Sequence, residues 1–343
     1  MIEVKTLDEG NWAAWEHFVE ICPEATFFHK AGWRRVIEKS FNQKAYFLFA
    51  EENGEIQAIL PLVHVRSAIF GSGLISTAFT VGGGTAAQNE AARRALDDHA
   101  QRLCTDLRAD YVEYRGVTQA PEGWARRDDL YYSFSWNIEA DEDDNLKQIP
   151  RKQRAVVRKA LGSGLGCEME TSTDNFFALF SASVHRLGTP VQSKYFFDCL
   201  LQEFGPDHCD ILTITAGGEP MSSVLSFYFR DSVLPYYTGG ALEARRIGAN
   251  DLMYWRLMRR AYSRGYRVFD FGRSKIDTGP FDFKKNWGFT PQPITHAYYL
   301  PAGKQMPQNN PANPKYALLI KAWQRMPLSL ANLIGPYIIR GIG

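Results

Sequence analysis

One order of elements occurs twice along this chain, and it constrains the fold more than any single motif. Residues 2–6 alternate as a short strand, and Asp8 is placed to cap a helix carrying Trp12, Trp15, Phe18 and Val19 at helical spacing. A second helix is expected from Ala31 to Ser40. Strands Lys44 to Glu51 and Glu55 to Val65 follow, joined by the hairpin signal Asn53-Gly54. A glycine-rich passage leads to a helix from Asn89 to Leu107 and a strand from Asp110 to Arg115. In the second half, strand 167–170 precedes helices 174–187 and 194–204. Three strands, 210–216, 221–230 and 233–238, then lead to helix 250–264 and strand 267–271. Each half reads as strand, two helices, antiparallel strands, helix and strand. The repeat implies a duplicated α/β (α+β) protein with a cleft between its halves.

Length agrees, because 343 residues exceed the usual single domain. The expected boundaries are a first domain over 1–145, a connecting basic helix over 146–164 ended by Gly162 and Gly164, a second domain over 165–300 and a Pro-rich apolar extension over 301–343. Pro327 and Pro336 interrupt any long amphipathic helix in that extension, so packing onto the second domain is expected ahead of docking on a membrane surface or partner. With 39 basic against 38 acidic residues, the balance argues against coating nucleic acid through bulk charge and leaves room for a local basic groove; no DNA partner is expected. Five scattered cysteines without C-x-x-C spacing give neither a disulfide framework nor a metal site and fit a reducing, cytoplasmic setting. The opening MIEVKTLDEGNW lacks a basic and then apolar run, so no signal peptide is expected.

Chemistry concentrates between Phe269 and Phe289. Asp270 ends a short strand; Arg273, Ser274, Lys275 and Asp277 fill a polar loop; Lys284 and Lys285 follow among Phe281, Phe283, Trp287 and Phe289. Cations framed by aromatic rings suit an anion or an oxyanion formed in acyl transfer, although the same residues also read as a solvated surface turn. An amine nucleophile must lose a proton, and Asp270 is the candidate base. Elsewhere, Arg151, Arg154 and Arg158 share one face of the connecting helix and could hold phosphates or lie against the acidic run before it. Gly82-Gly83-Gly84 lacks the spacing of a phosphate loop, and Glu113 and His185 read as structural.

Two sets of residues carry resemblances. The segment Arg245-Arg246-Ile247-Gly248-Ala249-Asn250, opening a helix, resembles the Arg/Gln-x-x-Gly-x-Gly/Ala loop of GNAT N-acyltransferases, with Asn250 in place of the last small residue. Ile149 to Arg154, Arg186 to Pro190, Tyr236-Tyr237-Thr238-Gly239-Gly240, Phe269 to Ser274 and Phe283 to Phe289 resemble the FemAB family of tandem GNAT transferases. The resemblance is nearest to members associated with the PEP-CTERM/exosortase system. It implies two GNAT-like domains, each a mixed, mostly antiparallel sheet flanked by helices. It implies aminoacyl or other acyl transfer to an amine or hydroxyl of a cell-envelope glycan, peptidoglycan or exopolysaccharide precursor. The donor would be aminoacyl-tRNA or acyl-CoA, with no tightly bound cofactor. The protein would be cytoplasmic or peripheral to the inner membrane, in contact with a lipid-linked precursor or exopolysaccharide machinery. By the same resemblance Lys284 stabilises the transition state and Tyr237 positions the donor. Tyr236, Arg245, Gly248, Arg273, Ser274, Lys275, Arg154, Arg158 and Trp287 complete the expected binding set. An acyl-CoA N-acyltransferase acting on a small amine and a non-catalytic GNAT scaffold remain the alternatives.

Overall fold

The computed structural model describes residues 1–67, 70–307 and 317–343. In chain order the first elements are β1 (Glu3–Thr6), α1 (Trp12–Ile21), α2 (Gly32–Phe41), β2 (Lys44–Glu52), β3 (Glu55–Ser67), β4 (Gly71–Ser76), β5 (Ala86–Ala87), α3 (Glu90–Asp106), β6 (Tyr111–Val117) and β7 (Ala125–Arg127). Then come β8 (Tyr131–Ser133), β9 (Ser135–Asn137), α4 (Glu142–Gln148), α5 (Arg151–Leu161), β10 (Gly166–Glu170), α6 (Asp174–Arg186) and α7 (Lys194–His208). They are followed by β11 (Cys209–Ala216), β12 (Glu219–Phe229), β13 (Ser232–Gly240), α8 (Ala244–Ile247), α9 (Ala249–Ser263), β14 (Val268–Asp270), β15 (Ser274–Lys275) and α10 (Gly279–Asn286). The chain closes with β16 (Gln292–Pro293), β17 (Thr295–Tyr299), α11 (Ala317–Arg325) and α12 (Leu328–Ile339).

The chain divides into two compact units. The first holds 1–130, 293–313 and 336–343; the second holds 131–292 and 314–335. The division therefore falls at 130/131 and not at 145, and the helix expected to connect the domains, α5, belongs to the second unit. Its Val157 and Ala160 are buried in that unit's core.

Each unit repeats the same sheet logic. In the first the order is β1-β2-β3-β4-β6-β17-β7, and only β4–β6 is parallel. In the second it is β10-β11-β12-β13-β14-β9, and only β13–β14 is parallel. A helix, α3 or α9, supplies the crossover that a parallel pair requires. The closing strand of each sheet comes from outside the repeat. In the first unit β17 enters between β6 and the edge strand β7, and in the second β9 closes the sheet beside β14.

Local chemistry explains the elements. Asn53 and Gly54 both adopt positive φ, 54° and 84°, as a two-residue turn between β2 and β3 demands. Asn89 caps α3 through Ala92 N–H at 2.8 Å. Asp8 does not cap α1: the N-cap is Asn11, and the Asp8 carboxylate instead accepts from the Gly10 and Asn11 amides in the turn before it. Alternation along β2 sends Leu48 and Ala50 into the core that α3 covers, while Phe47 stacks on Trp15 of α1. In the second unit α9 covers Leu212, Ile214 and Val224. On β13, Tyr237 meets Phe180 of α6 and Phe196 and Phe197 of α7. Gly239 lets α6 approach this closely, since a Cβ there would lie 2.3 Å from the Phe180 amide nitrogen.

The polar loop expected after β14 is present over 272–278 and holds the short strand β15, and the lysines that follow it lie on a helix. Thr278 precedes α10, Pro280 sits in its first turn, and Lys284 and Lys285 occupy its last. Of the proline-bearing extension, the described residues 317–335 pack on the second unit as expected, through His185 Nε2 on α6 to the Trp323 carbonyl at 2.9 Å, whereas 301–307 and 336–343 belong to the first unit, and Pro336 lies inside α12 without ending it.

Candidate functional site

The second sheet opens where its parallel strands part. β14 pairs with β13 at Ser232↔Val268 and Val233↔Phe269, and β13 then runs on to Gly240 beside β12, with its other edge free of β14. The β12–β13 register shifts between Leu225 and Ser226, which leaves Tyr236 as an extra residue opposite the partner strand. The bulge breaks side-chain alternation, so that the rings of Tyr236 and Tyr237 touch, with centroids 4.7 Å apart.

At the end of β14 lies Lys284. Its side chain is buried, and its Nζ donates to the carbonyls of Gly272 at 3.0 Å and Arg273 at 3.2 Å. The rings beside it are Phe134 and Phe271, each 5.4 Å from Nζ, whereas Phe281 lies beside Lys285. Desolvation pulls the Lys284 ammonium down to about 7; the charge of Asp270 opposes this and that of Arg273 adds to it. Two of its three N–H donors are used, leaving one. Asp270 is half-buried and desolvation raises its carboxyl, against the Gly272 N–H at 2.9 Å and the Lys284 charge. An amine that loses its proton near neutrality, beside a carboxyl drawn upward, is a pair tuned for proton and charge handling.

The other expected residues divide. Arg273 stacks over Tyr131 at 4.2 Å, and Ser274 and Lys275 form β15 against Tyr132 and Tyr131 of β8. The Ser274 hydroxyl and the Tyr237 phenol are buried and have no hydrogen-bond partner among the described residues. Desolvation raises the Tyr237 phenol well above its usual range, with Tyr236 adding and Arg273 opposing.

Trp287 is not open to a substrate. It is fully buried, packs near Phe271, Phe283 and Tyr254, and donates Nε1–H to Asp251 at 2.9 Å. Arg154 donates to the carbonyls of Ile149 and Lys147, tying down the end of α4. Arg158 stays exposed on α5, as do Arg151, Lys152 and Lys159. Tyr236 rests against Phe227.

At the start of α9, Gly248 has φ 77° and faces α5: a Cβ there would lie 3.1 Å from Ala160 Cβ. The first turn of α9 already carries a buried carboxylate, Asp251, which accepts from Trp287 and from Gln153. A helix N-terminus favours one negative group, and here the chain provides its own. Arg245 lies exposed on α8.

Sequence reasoning missed Phe134 and Tyr254. Phe134 lies in YYSFSWN, far from the motif it covers, yet its carbonyl accepts from the Phe271 amide at 2.7 Å. Tyr254 packs on Phe271 at 4.5 Å. Asp251 was legible behind Asn250 as part of a helix start that needs no ligand, although the N-cap is Gly248 and not Asn250.

Outside this site, Glu113 is buried in the first unit. It pairs with Arg115 at 3.0 Å and His296 at 3.3 Å and accepts from Tyr298 at 3.3 Å. Its place is structural.

Residues 146–285 match the acetyltransferase (GNAT) domain family. No curated protein matches the sequence. Among solved structures, the crystal structure of FemX is 15% identical, with 93% of this chain and 100% of that one covered and a TM-score of 0.69. A tandem GNAT protein from the clavulanic acid biosynthesis pathway is 12% identical over 89% of this chain and 100% of its own, with a TM-score of 0.56. L-PGS from Bacillus licheniformis is 13% identical over 94% and 99%, also at 0.56. At these identities the structures show the fold, two GNAT-like halves in tandem, and the domain match makes the second half that of an acyltransferase.

Proposed function

We propose that this chain is an aminoacyltransferase acting on an amine or hydroxyl of a cell-envelope glycan, a peptidoglycan or exopolysaccharide precursor, with aminoacyl-tRNA as donor. The observation that carries the reading is Lys284, a buried ammonium with a free N–H at the parting of β13 and β14, flanked by Asp270 and two aromatic rings. In such a site a nucleophilic amine attacks the donor's ester carbon, a C–N bond forms, and the carbonyl oxygen becomes an oxyanion. The third N–H of Lys284 stabilises that charge. Asp270 takes the proton that the amine releases and gives it to the leaving oxygen as the ester C–O bond breaks, which returns the carboxylate to its starting state. The Tyr237 phenol and the Ser274 hydroxyl, both lacking partners in the described residues, are available to orient the donor. Arg273 and Lys275 supply positive charge beside them, and Arg158 with its exposed basic neighbours on α5 supplies a surface for a polyanion. The carboxylate at the head of α9 favours aminoacyl-tRNA over acyl-CoA, and the FemAB resemblance favours an envelope acceptor.

The deciding experiment offers purified protein both donors with glycan-precursor acceptors and identifies products by mass. Transfer should depend on aminoacyl-tRNA and fall by about 100-fold or more in Lys284→Met, the usual scale for a lost oxyanion donor. Equal rates in both proteins refute the role of Lys284. Transfer from acyl-CoA alone refutes the donor and leaves an N-acyltransferase.

A further inference from the structure

The two C-terminal helices each have one face in contact with the second unit and one without. The inner faces are accounted for. On α11, Trp323 is buried and Ile320 abuts Gly188, whose added Cβ would meet Ile320 Cγ2 at 2.4 Å, while Gln324 donates to the Arg186 carbonyl at 2.8 Å. On α12, Ala331 is buried and Gly335 abuts Val191, and Asn332 Nδ2 donates to Ser181 Oγ at 3.3 Å. Both helices thus lie on α6 and the segment that follows it.

The outer faces are apolar and bare. Leu318 is 79% exposed, Leu319 65% and Leu333 65%, with Leu330 at 42%; Leu187, beside Gly188, is 65% exposed. Isolated exposed leucines are ordinary, but this many on two consecutive helices is more bare apolar side chain than a monomer in water usually keeps.

Charge narrows the occupant. Lys321 and Arg325, one turn apart, share the outer face of α11 with Leu318, and both are exposed. No aspartate or glutamate follows Asp282 in the sequence, while Lys304, Lys315, Lys321, Arg325 and Arg340 do. A protein interface with acidic and basic complementarity needs both signs; an apolar face with cations alone matches the boundary of an anionic bilayer. There leucines enter the acyl region and long cationic side chains reach the headgroups. Among the described residues no helix is long and apolar enough to cross a membrane, so the helices would lie on it.

We infer that α11 and α12 dock the protein on an anionic phospholipid surface, through Leu318, Leu319, Leu330 and Leu333 with Lys321 and Arg325. This anchoring holds whichever donor the transfer site uses, and it brings the second unit to where a lipid-linked acceptor would be found.

The test uses the full chain and sedimentation with vesicles of phosphatidylcholine alone or mixed with phosphatidylglycerol. Wild type should sediment with the mixed vesicles, little with neutral ones, and less as salt rises. Lys321→Glu with Arg325→Glu, and separately Leu319→Asn with Leu333→Asn, should weaken binding at least tenfold, since each surface cation adds about fivefold. These side chains are exposed, so circular dichroism should be unchanged, as should transfer to a water-soluble acceptor. The inference fails if wild type ignores anionic vesicles or binds both kinds equally. It also fails if light scattering shows a dimer that the leucine double variant dissociates, because a second copy then covers the face.

Discussion

Lys284→Met separates a lysine held for chemistry from one held for structure. Methionine keeps the apolar stem and removes the charge. Burial lowers the Lys284 ammonium from 10.5 to about 7, a fall worth about 5 kcal/mol at 1.36 kcal/mol per pKa unit. The sign follows from proton binding. Between pH 7 and 10.5 the unfolded chain holds a proton that the folded protein has released, so wild-type stability should rise with pH across that window. Below about 7 both states are charged and the whole cost of burying the ammonium is present. Methionine removes that cost, but it orphans the Gly272 and Arg273 carbonyls and takes a positive neighbour from Asp270, offsets of about 1–3 kcal/mol together. The variant should therefore be more stable at pH 6 by about 2 kcal/mol or more, should lose the Lys284 part of the pH slope, and should lose transfer. Urea unfolding at pH 6.0, 7.5 and 9.0, paired with the transfer assay, measures all three. A variant that is less stable at pH 6, or whose stability rises with pH as steeply as wild type, refutes the reasoning.

Three other substitutions have defined outcomes. Tyr237→Phe removes a buried hydroxyl with no hydrogen-bond partner among the described residues, so urea midpoints should hold or rise by about 1 kcal/mol while transfer falls. Gly239→Ala places a methyl 2.3–2.5 Å from the backbone of Leu179 and Phe180, and calorimetry should show a loss of about 3 kcal/mol. Glu113→Gln strands the buried Arg115 charge and should cost about 3–5 kcal/mol at neutral pH. Desolvation pushes the Glu113 carboxyl up, but Arg115 and His296 outweigh it and hold it well below its ordinary 4.5. The stability it confers is complete above about pH 4.5 and drains as acid is added, so the variant's acid-denaturation curve should be flatter than wild type's.

Local patterns carried most of the fold. Asn53-Gly54, Asn89 and the alternating runs of β2, β3, β11 and β12 each specify their own geometry within a few residues, and they are where the structure agrees with the sequence. What was illegible depends on distant pairing. Nothing in Thr295–Tyr299 says that it lies between β6 and β7, nearly 200 residues earlier in the chain for its partner Glu113, because a strand's partner is not encoded in its own period. The site divides in the same way. Lys284, Asp270 and the ring of Phe271 stood out through their motif, but the second ring beside Lys284 is Phe134, brought in by β9 pairing with β14. Trp287 misled because aromatics beside lysines read as a binding box, while its indole nitrogen has a private partner in Asp251.

The duplicated fold also bears on why, among the described residues, the candidate site lies in the second half. Both sheets part after a short parallel pair, and both put charged residues near that point. In the first unit Glu113 meets Arg115 and His296 within 3.3 Å, and the carboxyl is stabilised as an anion. In the second, no ion pair within 4.0 Å joins Asp270 to Lys284 among the described residues; the carboxyl is raised and the amine lowered, so each charge is poorly compensated. A self-satisfied network rigidifies a core and has nothing left to offer a substrate. An under-compensated one costs stability and gains from any ligand that completes it, which is the condition for binding a charged intermediate more tightly than a neutral reactant. The second unit, matched to the acetyltransferase domain, is the half that meets this condition.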